Sequence, residues 1–330
     1  MLTVKERFTK VKRSSWLKIA VTILVLTIAF NSSFFNILHR GFDLRFLWAA
    51  LAVQPLILLG LLVQSLRHIV LIGVPKVPLN MAIKAMALSL GLSLLLPGRL
   101  SEVLKGTYLR DHAGVPISIG MSAVVLERTI DLLIVAALGF LGLTLFVARV
   151  DYRMVLFFCS LSVTILLLAL FGRNLILQLL RVMPWPRLAS FVERSYLHFA
   201  ATVRTTAFFK AMALGVIGWG ISYVNVLVFL HLAGSMPITF SGALLVFVFT
   251  TFGGAVPVLP GGLGTYEFAG VFALSALGYP TDEAIVIAIA LHVTQLVLMF
   301  VLAMAVMLTE RIGLSSLIKD LRATVVPSRF

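Results

Sequence analysis

Charge is scarce in this chain, cysteine is nearly absent, and acidic residues are outnumbered two to one by basic ones. Each shortage removes a class of protein. Of 330 residues only 12% are charged, while 60% are hydrophobic and the mean hydropathy is +1.08. A soluble domain carries about 25% charged residues, so the natural solvent of this chain is lipid. The single cysteine, Cys159, lies in an apolar run. That excludes an internal disulfide and a cysteine metal cluster, and the residue reads as a small buried hydrophobe. There is no HExxH, no GxSxG and no P-loop. The run Pro260-Gly261-Gly262-Leu263-Gly264 lacks both the strand context and the Lys-Ser/Thr pair that a nucleotide loop needs. No catalytic residue, metal or cofactor is therefore expected. The 13 acidic residues against 27 basic ones leave a net charge of +14. These bases are spread over short connections rather than gathered in one patch, which points to membrane orientation and not to nucleic acid.

What is abundant is long apolar sequence. Runs of about 20 residues predict full membrane spans near residues 16–38, 44–66, 116–148, 153–172, 211–233 and 282–308. The fold class is an all-α polytopic membrane protein, with residues 1–330 as one transmembrane domain. Basic residues before the first apolar run mimic a secretory signal, but no small-residue cleavage site follows, so an uncleaved first span is expected. Residues 173–210 alternate Leu, Val, Phe and Trp with Arg at helical spacing. They predict an interfacial amphipathic connector, interrupted at Pro184-Trp185-Pro186.

Two apolar segments, 79–112 and 240–278, are broken. The first break is Leu96-Pro97-Gly98-Arg99-Leu100-Ser101-Glu102, the second Val256 to Glu267 through Pro257, Pro260, Gly261, Gly262 and Gly264. Proline removes a backbone donor and glycine loosens φ, so a helix arriving there must stop. Open backbone at membrane depth survives only inside protein or beside a watery cavity. Each segment is therefore predicted to be a re-entrant hairpin. The landmarks that follow keep step. Pro97 leads to Gly114-Val115-Pro116 and Thr129, and Pro260 leads to Gly278-Tyr279-Pro280 and Thr294, with slips of one residue. This predicts an internal repeat. With both segments as hairpins, most Lys and Arg fall on one side, Arg67 and Lys105 among them, and only Arg40, Arg45, Arg149 and Arg153 on the other. The positive-inside rule then makes the repeat inverted, with both termini cytoplasmic. Paired, interrupted segments in two halves point to a transporter's substrate site.

Ionisable residues in the apolar runs are the candidate site. Glu127, Arg128 and Asp131 share the span that begins at Pro116, with Arg128 three residues from Asp131 and able to pair with it. They read either as an internal ion pair locking the span or as a polar wall, with Arg128 meeting a phosphate and a carboxylate meeting an amine or coupling cation. His292, with Gln295 beside it, aligns with Glu127 in the second half and is expected opposite the acidic trio. Gly98 and Gly261-Gly262 precede short helical arms whose free N–H groups would suit an anion. Arg99 and Lys105 add charge there, and Glu102, three residues from each, offers them a local salt-bridge network as the alternative to an anion. Glu267 has no basic neighbour in sequence and reads as an unpaired carboxylate or as a cap on the arm's first turn.

At Leu96-Pro97-Gly98-Arg99-Leu100-Ser101-Glu102 with Lys105, at Glu127-Arg128-Thr129-Ile130-Asp131 and at Pro260-Gly261-Gly262-Leu263-Gly264 with Glu267, the chain resembles the flippase-like transmembrane domain of lysylphosphatidylglycerol synthases. The resemblance covers about residues 16–310. It implies a multi-pass inner-membrane protein that moves a lipid with a polar head, an anionic or aminoacylated phospholipid or a polyprenyl-linked lipid. It further implies a stand-alone member without the soluble synthase domain, hence no enzyme. A second copy of the chain or an envelope-pathway enzyme would be the protein partner. An intramembrane enzyme acting on a lipid-linked sugar or phosphate, and an accessory subunit of an envelope lipid pathway, are the competing readings. Ser101 stands where this family would be expected to carry glycine.

Overall fold

A computed structural model of the chain describes residues 44–73, 77–96, 100–146, 160, 163–164, 167–168, 171–181, 186–255 and 259–313. The predicted spans at 16–38 and 153–172, Cys159, the Pro97-Gly98-Arg99 turn and the Pro184-Trp185 pair lie wholly or largely outside these residues. Among the described residues every regular element is helical. The first group is α1 (Leu44–Ile72), α2 (Leu79–Gly91), α3 (Ser101–Ala113) and α4 (Ile117–Phe146). Two connector helices follow, α5 (Arg173–Arg181) and α6 (Pro186–Val203). The second group is α7 (Thr206–Ala233), α8 (Phe240–Ala255), α9 (Thr265–Ala276) and α10 (Thr281–Thr309). Short 3-10 turns at Leu92–Leu94 and Pro260–Gly262 close α2 and open the approach to α9.

Among the described residues three helices, α1, α7 and α10, are long and apolar enough to cross a membrane. α4 matches their length with 30 residues but carries Glu127, Arg128 and Asp131. The apolar run of α1 was expected to end at residue 66. The helix continues to Ile72, absorbing Arg67 and His68, because both side chains find buried acidic partners on α4. Arg67 and Lys105 are therefore core residues and not the loop charges that the orientation argument assumed.

The corner between each short helix and the long helix after it is built alike. Gly114 ends α3 in the left-handed region (φ 65°), and Gly278 follows α9 at φ 91°. In each case proline comes two residues later and opens the next helix. Glycine tolerates the positive φ that stops one helix, and proline's fixed φ suits the first turn of the next.

α1 and α7 pack antiparallel along their whole length. Phe46, Ala49 and Val53 share a core with Val226, Phe229 and Ala233. Further along, Gly60 faces Ile221, Val63 faces Gly218 and Arg67 faces Gly215. α2 lies against the far end of α10, Lys84 pairing with Glu310. Gly91 there sits so close that an added Cβ would meet the Met299 carbonyl oxygen at 2.2 Å. The α7–α8 corner meets the opposite end of α10, where Ser235 donates backbone and hydroxyl hydrogen bonds to Glu283. The α2/α3 pair and the α8/α9 pair thus start from opposite ends of α10. Their inner ends touch, Leu94 lying against Gly261. On the connector, His198 of α6 donates from Nε2 to the Ile72 carbonyl (3.1 Å) and accepts at Nδ1 from Ser122 (3.0 Å), fixing α6 to the end of α1 and the start of α4.

Candidate functional site

α4 brings its three ionisable residues to the middle of the first group, and the neighbouring helices answer them. Glu127 is fully buried. Its Oε2 accepts from Lys105 Nζ at 2.5 Å and its Oε1 from His68 Nδ1 at 2.9 Å. Lys105 is 1% exposed and His68 likewise, and Nε2 of His68 is buried with no hydrogen-bond partner. One turn along, Asp131 takes Arg67 Nη1 at 2.6 Å, Arg128 Nη1 at 3.1 Å and the indole N–H of Trp219 at 2.9 Å. Arg128 also donates from Nε to Glu102 at 3.1 Å.

The network therefore joins α1, α3, α4 and α7 and sets Glu102, Glu127 and Asp131 against Arg67, Lys105 and Arg128. Balanced charge explains how these groups stay in an apolar body. An isolated Arg, Lys or Asp at mid-helix in a membrane costs about 2.5–3.5 kcal/mol on insertion scales, and a buried pair survives only with good geometry and further hydrogen bonds. Arg128 differs from the rest in keeping 37% of its side chain exposed, against 6% for Arg67 and 2% for Lys105. Among the charged groups of this centre, it is the one most accessible to an incoming anion.

The second group has a smaller centre. Glu267 Oε2 accepts the Gly264 N–H at 2.6 Å, capping α9, and its Oε1 faces Nδ1 of His292 at 2.7 Å. Nε2 of His292 reaches the Gly261 carbonyl at 3.1 Å, and the ring stacks on Tyr266 with centroids 4.0 Å apart. The Tyr266 hydroxyl in turn meets Thr250 and Gln295.

This geometry corrects four sequence-based expectations. Glu267 is not an unpaired carboxylate, since it holds both a helix N-terminus and His292. His292 does not face the acidic trio but binds within its own half. The Gly261–Gly264 amides are not all free for an anion, because the Gly264 N–H is taken by Glu267 and the Gly262 N–H by the Leu259 carbonyl. Lys105 turns to Glu127 rather than to Glu102, which accepts from Arg128. Of the residues singled out, Glu102, Lys105, Glu127, Arg128 and Asp131 come together in one centre. Pro260, Gly261, Gly262, Gly264, Glu267, His292 and Gln295 gather in the other. Arg67, His68 and Trp219 were missed. The apolar Ile69–Ile72 after Arg67-His68 was the available signal that the span runs on past its charges. For Trp219, 88 residues from Asp131, no local signal exists.

Beside the first centre lies an apolar groove of about 380 Å³ between α4, α7 and α8, with Trp219 in its wall. Among the described residues no cluster of His, Cys, Asp or Glu is arranged to hold a metal.

A family model described as the lysylphosphatidylglycerol synthase TM region matches residues 15–303, and the chain belongs to that family. No curated protein and no solved structure matches it.

Proposed function

We propose that this family member carries a lipid with a polar head across the bilayer, working as a flippase-like transporter in the inner membrane. Family membership makes it a multi-pass, lipid-related membrane protein. The observation that carries the transport reading is the meeting of two broken-helix pairs that start from opposite ends of α10, with a charged centre beside each break. A purely structural bundle has no use for irregular backbone at that depth, since open backbone in lipid must be compensated by protein or water.

On this reading the two groups are an inverted repeat of re-entrant hairpins. Its support is the matching element order, the glycine–proline corners and the antiparallel α1/α7 contact. A two-fold axis relating two antiparallel spanning helices must run across them, hence in the plane of the membrane, which is the symmetry that lets one site face either side in turn. Arg128, partly open, receives the phosphate. Glu102 and Asp131, released from Arg128 as it turns to the phosphate, meet a head-group ammonium or hydroxyl.

The test is head-group movement between leaflets in reconstituted vesicles, comparing wild type with Arg128→Ala and Glu267→Gln. Arg128→Ala is expected to abolish movement, and Glu267→Gln to slow it by loosening the second tip. Unchanged movement in both would remove the assigned roles. A chemically altered lipid after incubation, read by mass spectrometry, would point instead to an intramembrane enzyme.

A further inference from the structure

We propose that the groove between α4, α7 and α8 is the acyl-chain subsite of this centre, with Trp219 as the partition between the chain and the head group. The inference rests on the lipid-transport reading for its occupant. Its own support is what the walls offer. Ile134, Leu138 and Leu141 of α4, Val216 of α7 and Leu244 of α8 supply hydrocarbon. The polar side chains at the groove are already engaged elsewhere. Tyr223 donates to the Phe240 carbonyl at 2.9 Å, Ser241 is bonded to Thr239 at 3.2 Å, and Trp219 points its N–H into Asp131. A head group would find no partner here, whereas a hydrocarbon chain needs none.

Position fixes which chain this is. Ile134 lies three residues beyond Asp131 on α4, about 4.5 Å along the axis, so the groove ends at the charged network. The indole of Trp219 closes that end, held edge-on by Phe247 with centroids 5.9 Å apart. A phospholipid with one chain along α4 therefore presents its phosphate toward Arg128, and its head displaces the indole N–H to reach Asp131. Gly220 leaves the space beside it open: an added Cβ there would meet nothing within 4 Å. Other exposed apolar residues, such as Phe268 and Phe272, lie on α9 and do not line this groove.

The experiment uses the full chain in vesicles containing phosphatidylethanolamine and phosphatidylglycerol, each in turn carrying a diazirine at mid-chain. Labelled peptides are mapped by mass spectrometry after illumination. Label at Ile134, Leu138 and Leu244 is expected about tenfold above that at Phe268 and Phe272, the selectivity that one charge-assisted head-group contact provides. Gly220→Phe, filling the groove, should return it to the level of those two residues. Equal labelling of groove and α9 in wild type means bilayer contact only and overturns the subsite, with no variant required. Retained label in Gly220→Phe overturns it also. Labelling is read without transport, so selective label in a chain that moves no lipid removes the transport reading alone. Movement without selective label removes the subsite alone.

Discussion

Replacing Glu127 with leucine tests whether the buried network is held by charge. The carboxylate is fully buried between Lys105 Nζ at 2.5 Å and His68 Nδ1 at 2.9 Å. Removing it strands the Lys105 ammonium in a dry site, and breaking a buried pair from one side costs about 3–5 kcal/mol. His68 loses its one partner as well, adding about 1–3 kcal/mol for an unsatisfied buried group. The single variant should therefore lose about 4–8 kcal/mol. The double variant Lys105→Met with Glu127→Leu removes the stranded charge and keeps only the histidine penalty, so it should regain about 3–5 kcal/mol over the single. The measurement is helix content during titration of the purified protein with denaturing detergent, completed as a double-mutant cycle. Equal stability of the single and double variants would refute the reasoning, because Lys105 would then not depend on Glu127. So would a single variant within about 1 kcal/mol of wild type, since removing a buried carboxylate must then leave no charge uncompensated.

Further outcomes follow from the same contacts. Gly91→Ala puts a Cβ 2.2 Å from the Met299 carbonyl oxygen and 2.5 Å from the Ala303 Cβ, so it should destabilise by about 1–3 kcal/mol or part α2 from α10. Gly220→Ala, with open space, should be neutral or stabilising in the same titration, since alanine favours the helix. Burial lowers the pKa of His198 below its ordinary 6.5, opposed by its bond to the Ile72 carbonyl. The neutral ring is the one that folding favours. Its contribution is therefore complete above about pH 6.5 and is lost as pH falls through the lowered value. A stability profile from pH 7.5 to 5 should show that loss in wild type, and His198→Gln should flatten it.

What the sequence made legible is what local chemistry dictates. Pro260, Gly261, Gly262 and Gly264 announced the second break, and Gly114 with Pro116 and Gly278 with Pro280 announced the corners, because a helix stops where its backbone cannot continue. α2 with α3 and α8 with α9 occupy the two broken segments, and α4 begins within a residue of the span expected from 116. Pairings were less accessible. Sequence spacing could suggest Arg128 with Asp131, three residues apart. It could not suggest His68 with Glu127, 59 apart, or Arg67 with Asp131, 64 apart. The apolar Ile69–Ile72 signals that the span runs on past Arg67, yet leaves open whether that arginine meets water in a cavity or a buried aspartate. Only the packing of α1 on α4 separates the two.

The network also indicates where the two groups of helices could part. Arg67, His68, Glu102, Lys105, Glu127, Arg128 and Asp131 all belong to α1, α3 and α4, so their ion pairs bind the first group to itself. Within the described network the second group contributes only Trp219, through one N–H bond to Asp131. A hydrogen bond to a charged group contributes about 1.5–3 kcal/mol, less than the 3–5 kcal/mol for breaking a buried pair. Among the described residues the tips meet through Leu94 and Gly261, an apolar contact. At the two ends of α10 the ion pairs between the groups, Glu310 with Lys84 and Glu283 with Arg45 at 4.0 Å, lie where the chain is at least partly exposed, so water can replace those contacts. Among the described contacts, a rocking of one group against the other would therefore break one interior hydrogen bond and leave every buried ion pair intact. The bond that breaks is the one beside the groove, so the motion and the opening of Asp131 to a lipid head would be a single event.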